Sequence, residues 1–127
     1  MQPKRSIEVR KTDINAALRS TVLISSHFIN RATEGFTFDE GHLPKVLGDS
    51  QRLQQVFLNL IRNACQSLSG PHEAIRIASR FKEEERMVEV IIESKKGEGT
   101  RVFVTLPACE EESKDAGAAN TDRTALR

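Results

Sequence analysis

Apolar residues recur along this chain in two rhythms. Ser6 to Lys11, "SIEVRK", alternates apolar and polar, which is the period of a short strand with one buried face. From Asp13 the period changes. Ile14, Leu18, Val22 and Ile29 recur at helical spacing to about Arg31, Ala17, Ile24 and Phe28 widen the same face, and Asp13 stands where an N-cap belongs. Gly35 to Gly41 follows, with Phe36 and Phe38 two apart as on one side of a strand. "LPKVLGD" is a short extended piece, and Pro44 near its start suits a sheet edge or the approach to a helix.

A second helix is predicted from the cap residue Asp49 to about Ser69, where Gly70 and Pro71 stop it. Strands are predicted over Ala74 to Phe81, Met87 to Ser94 and Thr100 to Pro107. "KEEER" is a solvated turn, and "KKGEG" a tight hairpin connection in which Gly97 and Gly99 can take positive φ. Residues 109–127 contain almost no large apolar side chains and are expected to form a disordered tail after a domain of residues 1–108. Two amphipathic helices and five or six strands with local connections need a common surface. The economical solution is an α+β two-layer sandwich, with a mixed, mostly antiparallel sheet and both helices on one face.

At 127 residues the chain has room for one modest core. The formal net charge of +1 supplies no global field for nucleic acid, a membrane surface or acidic substrates. No aromatic residues interleave with the basic ones and no Cys/His cluster occurs, which speaks against nucleic-acid and metal-binding modules. "MQPKRSIEVRK" has no apolar segment after its basic residues, and no run approaches the length of a membrane helix. Cys65 and Cys109, without metal-ligand spacing, read as free thiols of a reducing, cytoplasmic compartment.

The candidate chemistry lies on the second helix. Leu53, Val56, Phe57, Leu60, Ile61, Ala64 and Leu68 form one apolar stripe, and Gln55, Asn59, Asn63 and Gln66 align on the opposite side. Such a polar stripe is ordinarily a solvated face. Asn, however, is a poorer helix former than the Lys, Glu and Arg that usually fill exposed positions. A neutral amide also offers what a magnesium–phosphate site uses: an oxygen that ligates Mg²⁺ and an NH₂ that donates to phosphate.

"LQQVFLNLIRNACQSL" resembles the N-box of sensor histidine kinases, in the ATP-binding catalytic domain of two-component systems, and its flavour is that of nitrogen-regulator-type kinases. "TDINAALRS" is similar to the start of that domain, "LPKVLGDSQRLQQV" to its approach to the N-box, and "ESKKGEGTRVFVTLP" to its closing hairpin, so the resemblance covers roughly residues 6–107. It implies a reduced Bergerat-type fold, ATP and Mg²⁺ as ligands, and autophosphorylation of a histidine on a separate dimerisation domain followed by relay to a response regulator. Carried over by position, Asn63 matches the Mg²⁺-ligating asparagine and Asn59 the residue beside the phosphates. Gln55 matches a residue that positions the reacting groups, and Gln66 falls where many members have a phosphate-contacting Lys or Arg. Arg62 is a candidate substitute cation or a plain surface arginine.

The chain departs from the family where the nucleotide pocket should be completed. After "MVEVIIE" the resemblance calls for an Asp-x-Gly-x-Gly box, a lid segment and a glycine-rich start to a third helix; here "VEVIIES" runs directly into "KKGEGTRVFVTLP". Gly97-x-Gly99 has no helix pattern after it, and Asp115-x-Gly117 lies in the polar tail. His27, His42 and His72 lack the acidic helical context of a phosphoacceptor. Catalysis is therefore expected to be weak or absent. Loss of the third helix is expected to leave part of one sheet face open, which invites self-association or use as a non-catalytic interaction or dimerisation module.

Overall fold

Asp13 starts the first helix as expected, its carboxylate accepting from the Ala16 N–H at 3.0 Å. Asp49 starts the second in the same way, accepting from the Gln51 N–H at 3.1 Å. These caps belong to a computed structural model that describes residues 9–95 and 100–109. Residues 1–8, 96–99 and 110–127 lie outside the described residues, and with them the beginning of the first predicted strand, the Gly97 and Gly99 connection and the tail beyond Cys109.

The elements are β1 (Arg10–Thr12), α1 (Ile14–Ala32), β2 (Gly35–Asp39), β3 (Val46–Gly48), α2 (Ser50–Gln66), β4 (Ala74–Lys82), β5 (Met87–Lys95) and β6 (Thr100–Pro107). The main sheet has the order β2-β4-β5-β6; β2 runs parallel to β4 and the other two pairings are antiparallel. β1 and β3 form a separate antiparallel pair. The helices lie side by side on one face of the main sheet, which makes the predicted α+β two-layer sandwich. β4 and β5 turn through the exposed residues Glu83–Arg86, and Arg86 closes that turn at a φ of 54°.

The core is the interior of this sandwich. Ile14, Leu18 and Ile29 of α1 and Phe57 and Ile61 of α2 meet Ile77, Val88, Val90 and Ile92 of the sheet, with Phe36, Phe38, Val104 and Leu106 packed at its margin. The opposite sheet face carries ion pairs: Arg76 with Asp39 and Glu93, Arg101 with Glu93, and Arg80 with Glu89.

Several details differ from the sequence reading. The first described strand extends to Thr12, whose hydroxyl donates to the Gly48 carbonyl of β3 at 3.1 Å. α2 ends at Gln66 instead of Ser69, because Ser67 takes the cap, its N–H and hydroxyl both turned to carbonyls of the last turn. Leu68 thus lies beyond the helix. Ile24 is 64% exposed and Val56 43% exposed, so neither belongs to the buried stripes. On α1 the inward line runs Ile14, Leu18, Thr21, Ser25, Ile29; the two small polar residues hold positions where apolar spacing pointed to Ile24.

Candidate functional site

α2 divides its surface between three neighbours. Phe57 and Ile61 are fully buried, and α2 packs over β5. One flank meets α1: the Arg62 guanidinium carbon lies 5.2 Å from the centroid of the Phe28 ring, and Thr21, Ile24, Gln51, Gln54, Gln55 and Leu58 line a shallow cleft of about 160 Å³. Asn15 of α1 bonds to Ser79 of β4, so α1 sits on the β4 side of α2. The other flank of α2, with Val56 and Asn63, consequently turns toward β6, where Val102 and Val104 are half-buried.

Gln55, Asn59, Asn63 and Gln66 are all exposed. Helical spacing sets Asn59 and Asn63 one turn apart on the same surface. Gln55 lines the cleft with α1, and Gln66 is the last helical residue. Arg62 is the predicted site residue with a resolved aromatic contact, and that contact points to α1. The end of this flank is pinned by a hydrogen bond of 2.9 Å between the Ser67 and Ser94 hydroxyls, joining the cap of α2 to β5. The sequence reading did not single out these serines, since two hydroxyls far apart in the chain carry no periodic signal.

A second polar region, also not anticipated, lies at the start of α1. Asp13, Asn15, Arg19, Glu40, Gly41, His42 and Leu43 line an open cleft of about 370 Å³. Arg19 pairs with Glu40 at 2.6 Å, and that hydrogen bond holds the guanidinium pKa above its ordinary value. Inside the cleft Asn15 is occupied by Gly41 and Ser79. Asn15, Gly41 and Ser79 satisfy one another and Arg19 pairs with Glu40, so these groups act as a structural clamp.

Among the described residues no three His, Cys, Asp or Glu side chains gather as a metal site. His27 on α1, His42 in the connection from β2 to β3 and His72 in the connection from α2 to β4 are all exposed. No helix among the described residues is long and apolar enough to cross a membrane.

No family model and no curated protein matches the chain. Among solved structures it is similar to the nucleotide-free catalytic domain of the histidine kinase ThkA, at 25% identity over 68% of this chain and 58% of that one, with a TM-score of 0.59. It is similar to ThkA in its complex with the response regulator protein TrrA at 24% identity, over 72% of this chain and 27% of that one, with a TM-score of 0.61. Full-length ShkA in complex with AMPPNP follows at 18% identity, over 72% of this chain and 19% of that one, with a TM-score of 0.59. The chain thus spans little more than half of the ThkA catalytic domain. Its fold is that of histidine kinase catalytic domains.

Proposed function

We propose that this chain is a reduced ATP-binding catalytic domain of a two-component sensor histidine kinase, with weak or no phosphoryl transfer of its own. The observation that carries the reading is the exposed amide stripe of α2, Asn59 and Asn63 above all, on a helix that packs over β5 in a fold shared with histidine kinase catalytic domains. In this reading the Asn63 amide oxygen takes one position on Mg²⁺, and the Asn59 NH₂ group donates to phosphate oxygens. Gln55 orients the reacting groups, and Gln66 adds a neutral donor where a cation is common. Arg62 serves the phosphates only by leaving the Phe28 ring.

The impairment follows from chain length. β5 ends at Lys95 and β6 begins at Thr100, so four residues join them. Four residues span barely one helical turn. They leave no room for an adenine-binding box, a lid and a third helix. Phosphoryl transfer depends almost wholly on positioning and electrostatic stabilisation, and most of the positioning elements that the resemblance calls for are missing. In the parent system the partners are a histidine-bearing dimerisation domain and a response regulator.

Isothermal titration with ADP or AMPPNP and Mg²⁺ tests the reading, with Asn63→Ala in parallel. Saturable heat that Asn63→Ala abolishes supports a surviving nucleotide site. Absence of heat at millimolar nucleotide removes it. The second reading, a non-catalytic interaction module, is favoured by the open flank between α2 and β6, where Val56 stays 43% exposed.

A further inference from the structure

β6 is an outer strand of the main sheet, and its ladder partner is β5. Past the end of the strand, Ala108 makes an isolated bridge to Val46. Along Arg101–Thr105 the side of β6 away from β5 has no strand beside it among the described residues. Exposed edges are normally blunted by charge, bulge or proline. Here the charge and the proline stand near the two ends, at Arg101 and Pro107, and Phe103 between them is 48% exposed.

We propose that β6 pairs antiparallel with β6 of a second copy of this chain, about a two-fold axis at Phe103. The inference does not rest on the nucleotide reading. Three relationships select a second copy over an unrelated strand. The segment "RVFVT" is nearly palindromic about Phe103, so the pairing sets Val102 opposite the partner's Val104 and Phe103 opposite the partner's Phe103; an isologous contact requires such self-complementarity. On the outer face, Ala78, Ile91 and Phe103 form one cross-strand row, and this register continues it into the same row of the partner. The neighbouring row Arg76, Glu93, Arg101 then ends opposite the partner's Thr105, so no like charges are opposed.

The helices allow it. α2 lies over β5, so the two α2 helices stand three strand spacings apart, roughly 14 Å. Packed helices approach to about 8–10 Å, which leaves a gap. The exposed Val56 flank of each copy faces that gap. Pairing over so short a segment buries less than the roughly 1,600 Å² of a standard interface, so the dimer is dependent on concentration.

Sedimentation velocity of the 127-residue chain over a wide concentration range reads the association. The expected mass rises from monomer to dimer. Phe103→Lys alters an exposed side chain and no backbone group, sets two ammonium groups face to face, and should move the transition to at least about ten-fold higher concentration. Register is read by oxidative cross-linking in a chain carrying Cys65→Ser and Cys109→Ser. Phe103→Cys should give a reducible dimer, because directly opposite residues meet within disulfide reach, and Thr105→Cys should not, because the two thiols lie four residues apart along the pairing. A wild-type chain that stays monomeric throughout overturns the proposal. So does a dimer indifferent to Phe103→Lys, or cross-linking that does not favour position 103.

Discussion

The Ser79 hydroxyl donates to the Asn15 side-chain oxygen across 2.7 Å and ties β4 to the first turn of α1. Asn15 donates onward to the Gly41 carbonyl at 2.8 Å, and the Gly41 N–H returns to the Ser79 hydroxyl at 3.0 Å. Asn15 and Ser79 are both buried, so no water replaces a lost partner without rearrangement. Asn15→Leu should lower stability by about 1–3 kcal/mol, the range for stranding buried polar partners. Ser79→Ala should be non-additive with it, since both act on one network. Urea unfolding of the single and double variants measures both quantities. Simple additivity would show that the triangle is not a cooperative unit.

Gly41 belongs to the same clamp for a steric reason. A Cβ at this position would lie 2.4 Å from the Ser79 carbonyl oxygen, and that atom is backbone of a central strand. Gly41→Ala should therefore displace the loop from β4 and destabilise by about 1–3 kcal/mol, as overpacking does. A thermal melt is sufficient. An unchanged midpoint would mean that the loop yields freely.

Ser25 predicts the opposite sign. It is fully buried on α1, and its hydroxyl has no hydrogen-bond partner among the described residues. Thr21, one turn earlier, satisfies its own hydroxyl by donating to the Ala17 carbonyl at 2.8 Å. Removing an unsatisfied buried hydroxyl relieves a desolvation penalty, so Ser25→Ala should be neutral or stabilising by up to about 1 kcal/mol. A loss of stability in chemical denaturation would indicate a bound water in that position.

Thr21 and Ser25 also mark where the sequence stopped being legible. Both caps, the element order and the last three strands follow from local signals: Asp13 and helical apolar spacing for α1, Asp49 for α2, alternation for β4, and short apolar runs bounded by polar turns for β5 and β6. Apolar spacing cannot foresee small polar residues on an inward line, so it points to Ile24 where Thr21 and Ser25 are buried; on α2 it likewise includes Val56, which stays 43% exposed on the flank of the buried Phe57–Ile61 line. The amide stripe of α2 was readable because helical period alone aligns Gln55, Asn59, Asn63 and Gln66. Its surroundings were not. The Arg62–Phe28 contact and the Ser67–Ser94 bond join elements distant in sequence, and tertiary packing decides them.

Cys65 supplies a pH prediction. Burial pushes its thiol pKa above the ordinary value, because the thiolate is the poorly solvated form. The folded state therefore holds the proton longer than the unfolded state. The sign follows from linkage: the contribution to stability is full below the unfolded-state thiol pKa and is lost as pH rises through it toward the folded value. In a Cys109→Ser chain, the alkylation rate of Cys65 should rise at higher pH than in the same chain unfolded in urea. The alkaline decline in stability should flatten in Cys65→Ala. Coincident alkylation profiles for the two states would exclude the burial effect.

Arg62 and Phe28 decide how α2 divides its surface. The guanidinium lies over the ring at 5.2 Å, joining α2 to α1 on the flank away from Asn63. An exposed cation–π contact contributes about 0.5–1 kcal/mol. A double-mutant cycle of Arg62→Ala and Phe28→Leu, read by urea unfolding without nucleotide, should return a coupling energy of that size. If the contact is retained when nucleotide is present, Arg62→Ala should leave the titration heat nearly unchanged while Asn63→Ala removes it. Zero coupling together with a marked loss of nucleotide heat in Arg62→Ala would reverse the assignment, making Arg62 the cation that Gln66 does not provide.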